Sequence, residues 1–161
     1  MIFVTDRTMA DVMRAIELNT RIALHGFGAL TDAEESEWMG SLKGCMSAAD
    51  MNRIETNTFV IAENLRANGF HAAVLAKKDW TRNDIPRRPD MERIQAGIAA
   101  LRSAIAVPGN TPSVPTDLYH MDFNQANNIE KIQSVVMQML NNTIQSIQRL
   151  GTIYSGEGAL I

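Results

Sequence analysis

The chain has a single cysteine, Cys45, among its 161 residues. One thiol excludes an intrachain disulfide and any cysteine-rich zinc site, so the fold has to be held by its own core. A chain of this length can bury roughly 70% of the surface it exposes when unfolded, which is enough for one domain without staples. No apolar run approaches the roughly 20 residues that cross a bilayer, so a membrane-spanning reading is excluded. Charge of one sign is nowhere concentrated: 15 Lys and Arg face 18 Asp and Glu, for a net charge of -3. Nucleic-acid binders gather positive charge on one face to displace counterions, and the densest basic spot here, Arg87 to Asp90, is short and ends on an acid. The opening stretch MIFVTDRTMADV lacks both the basic leader and the apolar segment of a secretory signal, so cytosolic synthesis is the expectation.

What is present is apolar spacing of three and four, punctuated by Gly and Pro, with little strand-like alternation. That pattern predicts an all-α fold: a bundle of three main helices plus an N-terminal helix, forming one domain over residues 1–161. The first helix starts after Thr8, which caps with Asp11, and is expected to turn Met9, Val12, Met13 and Ile16 inward before HGFG stops it. Thr31 with Glu34 opens a short second helix that Gly40 ends. Ser47 with Asp50 caps the next, whose stripe is Met51, Ile54, Thr58, Ile61 and Leu65, up to Asn68 and Gly69. Pro89 starts another, with Met91, Ile94, Ile98, Leu101 and Ile105 on one face. The last begins near Asp122 to Asn124, carries Ile129, Ile132, Val136, Met139 and Leu140, and runs to Leu150. A glycine-containing tail at 151–161 follows, with Tyr154 expected to dock back on the bundle.

Three of these helices open alike. DMNRIE at Asp50 returns as DMERIQ at Asp90, and ANNIEK at Ala126 echoes both. The apolar pairs Met51 with Ile54 and Met91 with Ile94, and Ile129 in the third copy, are expected in the core, with Arg53 and Arg93 pointing elsewhere. An aromatic residue precedes each copy: Trp38, Trp80 and Tyr119. We read this as a decayed internal repeat, an aromatic-anchored loop followed by a helix that cannot bury its stripe alone and so packs on its copies.

The stretches GCMSAADMNRIETNTFVIAENL, DWTRNDIPRRPDMERIQAGIAAL, LYHMDFNQANNIEKI and YSGEG follow one another in order. In this order they resemble a family of small helical proteins encoded among the tail genes of bacteriophages and prophages of Firmicutes. The resemblance covers most of the chain. It implies a virion structural protein of the tail, whether baseplate, fibre or adaptor, made in the host cytoplasm and acting by self-association and contact with other tail proteins. It implies no catalytic residues. The alternatives are a phage assembly factor outside the virion and a decoration or fibre protein of the head.

Between Ile132 and Gln148 there is no charged residue. Free helix faces usually carry Lys and Glu, so the amides Gln133, Gln138, Asn141, Asn142, Gln145 and Gln148 form a candidate subunit interface, where polar side chains pair without the cost of buried charge. Three copies around an axis is one arrangement that the heptad-like stripe allows. An interior helix surrounded by its own neighbours is the other reading of the same pattern.

Chemistry-bearing groups do not converge in the sequence. His120 and Asp122 lack a third metal ligand, and His25 and His71 stand alone. Cys45 has no histidine in its segment to act as base and reads as a small buried thiol. Glu34, Glu35 and Glu37 crowd a first helical turn, where they complement the helix dipole. The glycines of GTIYSGEG follow no strand and make no phosphate loop. No enzyme activity, cofactor, metal, nucleic acid or membrane is therefore expected.

Overall fold

The computed structural model describes residues 1–40 and 42–157, with side chains through residue 150. Five α-helices and one 3-10 turn make up its regular structure: α1 Met9–His25, the turn Phe27–Ala29, α2 Asp32–Gly40, α3 Ala48–Ala67, α4 Arg88–Ala104 and α5 Phe123–Glu157. No strand occurs among the described residues. Each start has a local cause. The Thr8 hydroxyl accepts from the Asp11 N–H while the Asp11 carboxylate takes the Thr8 N–H, and Ser47 with Asp50 repeats this box at α3. Thr31 and Glu34 exchange the same bonds ahead of α2, and Pro89 sits in the first turn of α4.

Helices α3, α4 and α5 pack against one another around one core. Met51, Ile54, Ile61 and Leu65 of α3 meet Met91, Ile94, Ile98 and Leu101 of α4 and Ile129, Ile132, Val136 and Leu140 of α5. Every apolar residue expected inside at the three similar helix starts is buried. Gly97 lets α3 and α4 approach closely, since a Cβ there would lie 3.2 Å from the Thr58 methyl.

Three expectations are overturned. Helix α1 buries Ala15 and Leu18, while Met9, Met13 and Ile16 face outward. The helix is apolar on two opposite sides, so spacing alone cannot decide which side turns in. Close backbone approach decides it: Gly44 lies so near the Asp11 carbonyl and Val12 Cα that a Cβ could not fit, which pins that side of α1 to the 42–46 loop. Second, Tyr119 plugs nothing, being 54% exposed where Trp80 is 5% exposed; its ring instead meets the edge of His120. Third, α5 does not stop at Leu150 but continues helically through Gly151 to Glu157, and the docking expected of Tyr154 lies outside the described side chains.

Candidate protein interaction site

The bundle carries two nearly identical ionic clasps. On α5, Glu130 is fully buried: its Oε2 accepts the Val4 N–H at 2.7 Å, and its Oε1 accepts from Arg7 at 2.8 Å and from Arg53 at 2.9 Å. On α3, Glu55 is buried in the same way: Oε2 accepts the Lys77 N–H at 2.7 Å, and Oε1 accepts the Trp80 indole N–H at 2.8 Å and Arg93 at 2.7 Å. An asparagine three residues earlier completes each clasp. Asn127 accepts the Arg7 N–H and donates to the Arg7 carbonyl, and Asn52 does both for Trp80. In each case a helix grips an extended segment through its main chain, an Asn and a Glu one turn apart on one face. Buried carboxylates supplied with this many donors are tolerated because their lost hydration is replaced.

Arg53 and Arg93, expected to point away, are therefore the links between helices, from α3 to α5 and from α4 to α3. Two of the helix starts each depart from the pattern at the ionic positions: on α4 Gln95 stands where the others have Glu, and on α5 Asn128 stands where the others have Arg; Gln95 reaches the Thr116 carbonyl at 3.4 Å. The clasps were not foreseen. Asn-x-x-Glu at both 52–55 and 127–130 was the available signal, but the gripped segments lie 25 and 120 residues away in sequence.

Trp80 is buried in the Glu55 clasp, under the Lys77 ammonium at 4.1 Å. Trp38 is only half-buried, on α2. Of the six amides proposed for the subunit interface, Gln133 is fully buried and donates to the Ile54 carbonyl and the Thr58 hydroxyl, so it belongs to the interior. Its position on α5 faces α3, and this is the physical reason it is unavailable to a second chain. Gln138, Asn141, Asn142, Gln145 and Gln148 are exposed.

Two apolar surfaces remain uncovered. Ile144 is the last residue of α5 packed against the core, and Ile147 and Leu150 carry the same stripe beyond it, each more than half exposed. From Ile144 to Glu157 the helix backbone runs for about 20 Å at 1.5 Å per residue. The other surface lies on α1, where Met9, Met13, Ile16 and Leu24 fall at helical spacing on one side, also more than half exposed. A neighbouring flank of α1 is tied to α2 by ion pairs: Arg14 with Glu37 at 2.9 Å and Arg21 with Glu34 at 2.7 Å. The Thr31 N–H and hydroxyl, together with Arg21, hold the Glu34 carboxyl well down, at about 2.

The residues weighed for chemistry do not assemble. No group of three or more His, Cys, Asp or Glu side chains that could hold a metal occurs among the described residues. His120 pairs with Asp117 at 3.2 Å on the surface. Cys45 is exposed, contrary to the buried thiol expected, and partial desolvation with the Asp50 charge pushes its thiol up, away from a reactive thiolate. Among the described residues no helix is long and apolar enough to cross a membrane. No family model, no curated protein and no solved structure matches this chain.

Proposed function

We propose that the protein is a structural component of a bacteriophage or prophage tail, of the baseplate, fibre or adaptor kind, acting by self-association and contact with other tail proteins and carrying no catalytic site. One observation carries this reading. A bundle whose buried carboxylates are all well bonded leaves two apolar helical stripes, on α1 and at the end of α5, in water. Aligned stripes of large apolar side chains on a soluble surface mark contacts with other chains. The ordered resemblance to tail-gene products supplies the setting, and the uncharged face of α5 supports a packed location for that helix.

The test is the mass of the protein in solution by light scattering over a wide concentration range. A concentration-stable oligomer that dissociates when Ile147 and Leu150 are both changed to Ser supports the reading. A monomer at every concentration overturns self-association. Detection of the protein in purified particles then separates a virion component from an assembly factor.

A further inference from the structure

A third surface differs in chemistry from the two stripes. Where the end of α2, the 42–47 loop, the first turn of α3 and the 80–86 turn converge, they enclose a groove of about 560 Å³ that is open along one side. Trp38, Met39, Met46 and Pro86 give it an apolar wall. Four cationic side chains line it against two carboxylates, in a chain whose net charge is -3. Three of those cations already have carboxylate partners: Arg7 and Arg53 with Asp50, and Lys43 with Asp6.

Arg82 is the exception. It lies exposed at the rim, donating to the Met39 carbonyl at 3.1 Å and the Met39 sulfur at 3.2 Å, with no carboxylate partner among the described residues. Deeper in the groove wall, the Arg7 side chain is 2% exposed and its Nε has no hydrogen-bond partner. A guanidinium satisfied only by a carbonyl and a thioether retains its charge and planar fork for a carboxylate, which it prefers in paired geometry.

We propose that this groove docks an extended peptide segment of another protein in which an apolar side chain stands next to Asp or Glu. The apolar side chain lies along the Trp38 and Met46 wall, and the carboxylate pairs with Arg82. Charge complementarity selects this occupant. A nucleic acid would need a track of free cations, and only one is free here. A neutral peptide would leave the Arg82 charge uncompensated. The proposal rests on the reading that the protein works through protein contacts, but it uses a surface separate from both stripes.

The test is selection of short random peptides by the intact protein, with Arg82→Glu and Met39→Lys variants in parallel. The selected peptides are then measured by fluorescence polarisation at low and high salt. The expected result is enrichment of Asp or Glu beside Leu, Phe or Trp, with binding weakened at least about tenfold in Arg82→Glu and reduced by salt. Arg82 is exposed, so an unchanged circular dichroism spectrum establishes that this variant is folded. No enrichment, enrichment without acidic residues, or equal binding by Arg82→Glu overturns the proposal. Light scattering on the same samples keeps the two readings apart. Peptide binding by a monomer removes self-association and leaves the groove, whereas a stable oligomer without peptide binding removes the groove alone.

Discussion

The α3–α4–α5 bundle and the α1–α2 pair handle apolar surface and charge in opposite ways. In the bundle, apolar stripes face inward and two carboxylates are buried under converging donors. In the α1–α2 pair, only Ala15, Leu18 and Leu30 are buried among apolar residues, the ion pairs lie at the surface, and a whole stripe of α1 faces water. The bundle shares one core, while the α1–α2 pair is joined to it through the clasped segment around Val4 to Arg7, the Gly44 contact and the bond from Arg82 to the Met39 carbonyl. The difference teaches that burial of charge, which is costly, has been placed where it fixes which segment lies on which helix. Apolar exposure, which carries a risk of association, lies where a partner can reach it.

The largest effect should come from breaking a clasp. Glu130→Ala removes the acceptor shared by Arg7, Arg53 and the Val4 N–H, leaving Asp50 as the carboxylate for both arginines, and is expected to cost about 3 to 5 kcal/mol in urea unfolding. Glu55→Ala should cost somewhat less, because it deprives one arginine of a carboxylate where Glu130→Ala deprives two, and Arg93 is more exposed than Arg7. Equal and small losses for the two would show that the clasps do not hold the bundle.

Acid should come next and should act on both regions. Burial alone would raise the Asp50 carboxyl, but the Ser47 hydroxyl and N–H with Arg53 hold it below its ordinary 3.8. A depressed folded pKa gives stability that is present above the unfolded value and lost as pH falls through the folded one. The urea midpoint should therefore fall as the pH drops below about 4, with part of the slope removed in Asp50→Asn. In the α1–α2 pair, Glu34 is held at about 2 against an ordinary 4.5, so the contribution of its contacts is lost as pH falls through that interval, and α1–α2 should loosen there in hydrogen exchange. Loosening already near neutral pH would count against these pairs.

Smaller still, Arg14→Ala should leave the urea midpoint unchanged within error, because its shorter pairs are with the solvent-screened carboxylates of Glu37 and Glu17, and Glu34 keeps Arg21. A loss comparable to that of Glu130→Ala would mean that the surface pairs matter as much as the buried ones and would erase the contrast. A similarly small change in stability is expected of Met13→Ser with Ile16→Ser, within about 0.5 kcal/mol per site, because both side chains are already more than half exposed. The same double variant should alter the mass or the partner binding of the protein if the outer stripe is a contact surface. A cooperative loss of stability in dilute monomer would show instead that the stripe is covered within the chain.

Most helix positions were legible in the sequence, because their causes are local. Caps at Thr8, Thr31 and Ser47, proline in the first turn of α4 and the three-and-four spacing of Met51, Ile54, Ile61 and Leu65 act over one or two turns. The helical class and the core of the three similar helices follow from those signals. The interaction surfaces were legible only in part. The charge-free run of α5 was visible, but Gln133 cannot be told from Gln138 by residue type, and only the packing of α3 against one side of α5 makes the first interior and the second exposed.

What the sequence determined by itself is the helical framework and its inward stripes, since hydrogen bonding within a helix and the spacing of apolar side chains are set by neighbours along the chain. Tertiary structure alone decided which of the two apolar sides of α1 faces out, which arginines join helices, and where Trp38, Met46 and Arg82 meet around a groove. Those outcomes depend on contacts between residues tens of positions apart. Close packing and the need to satisfy a buried carboxylate choose among arrangements that local spacing leaves equal.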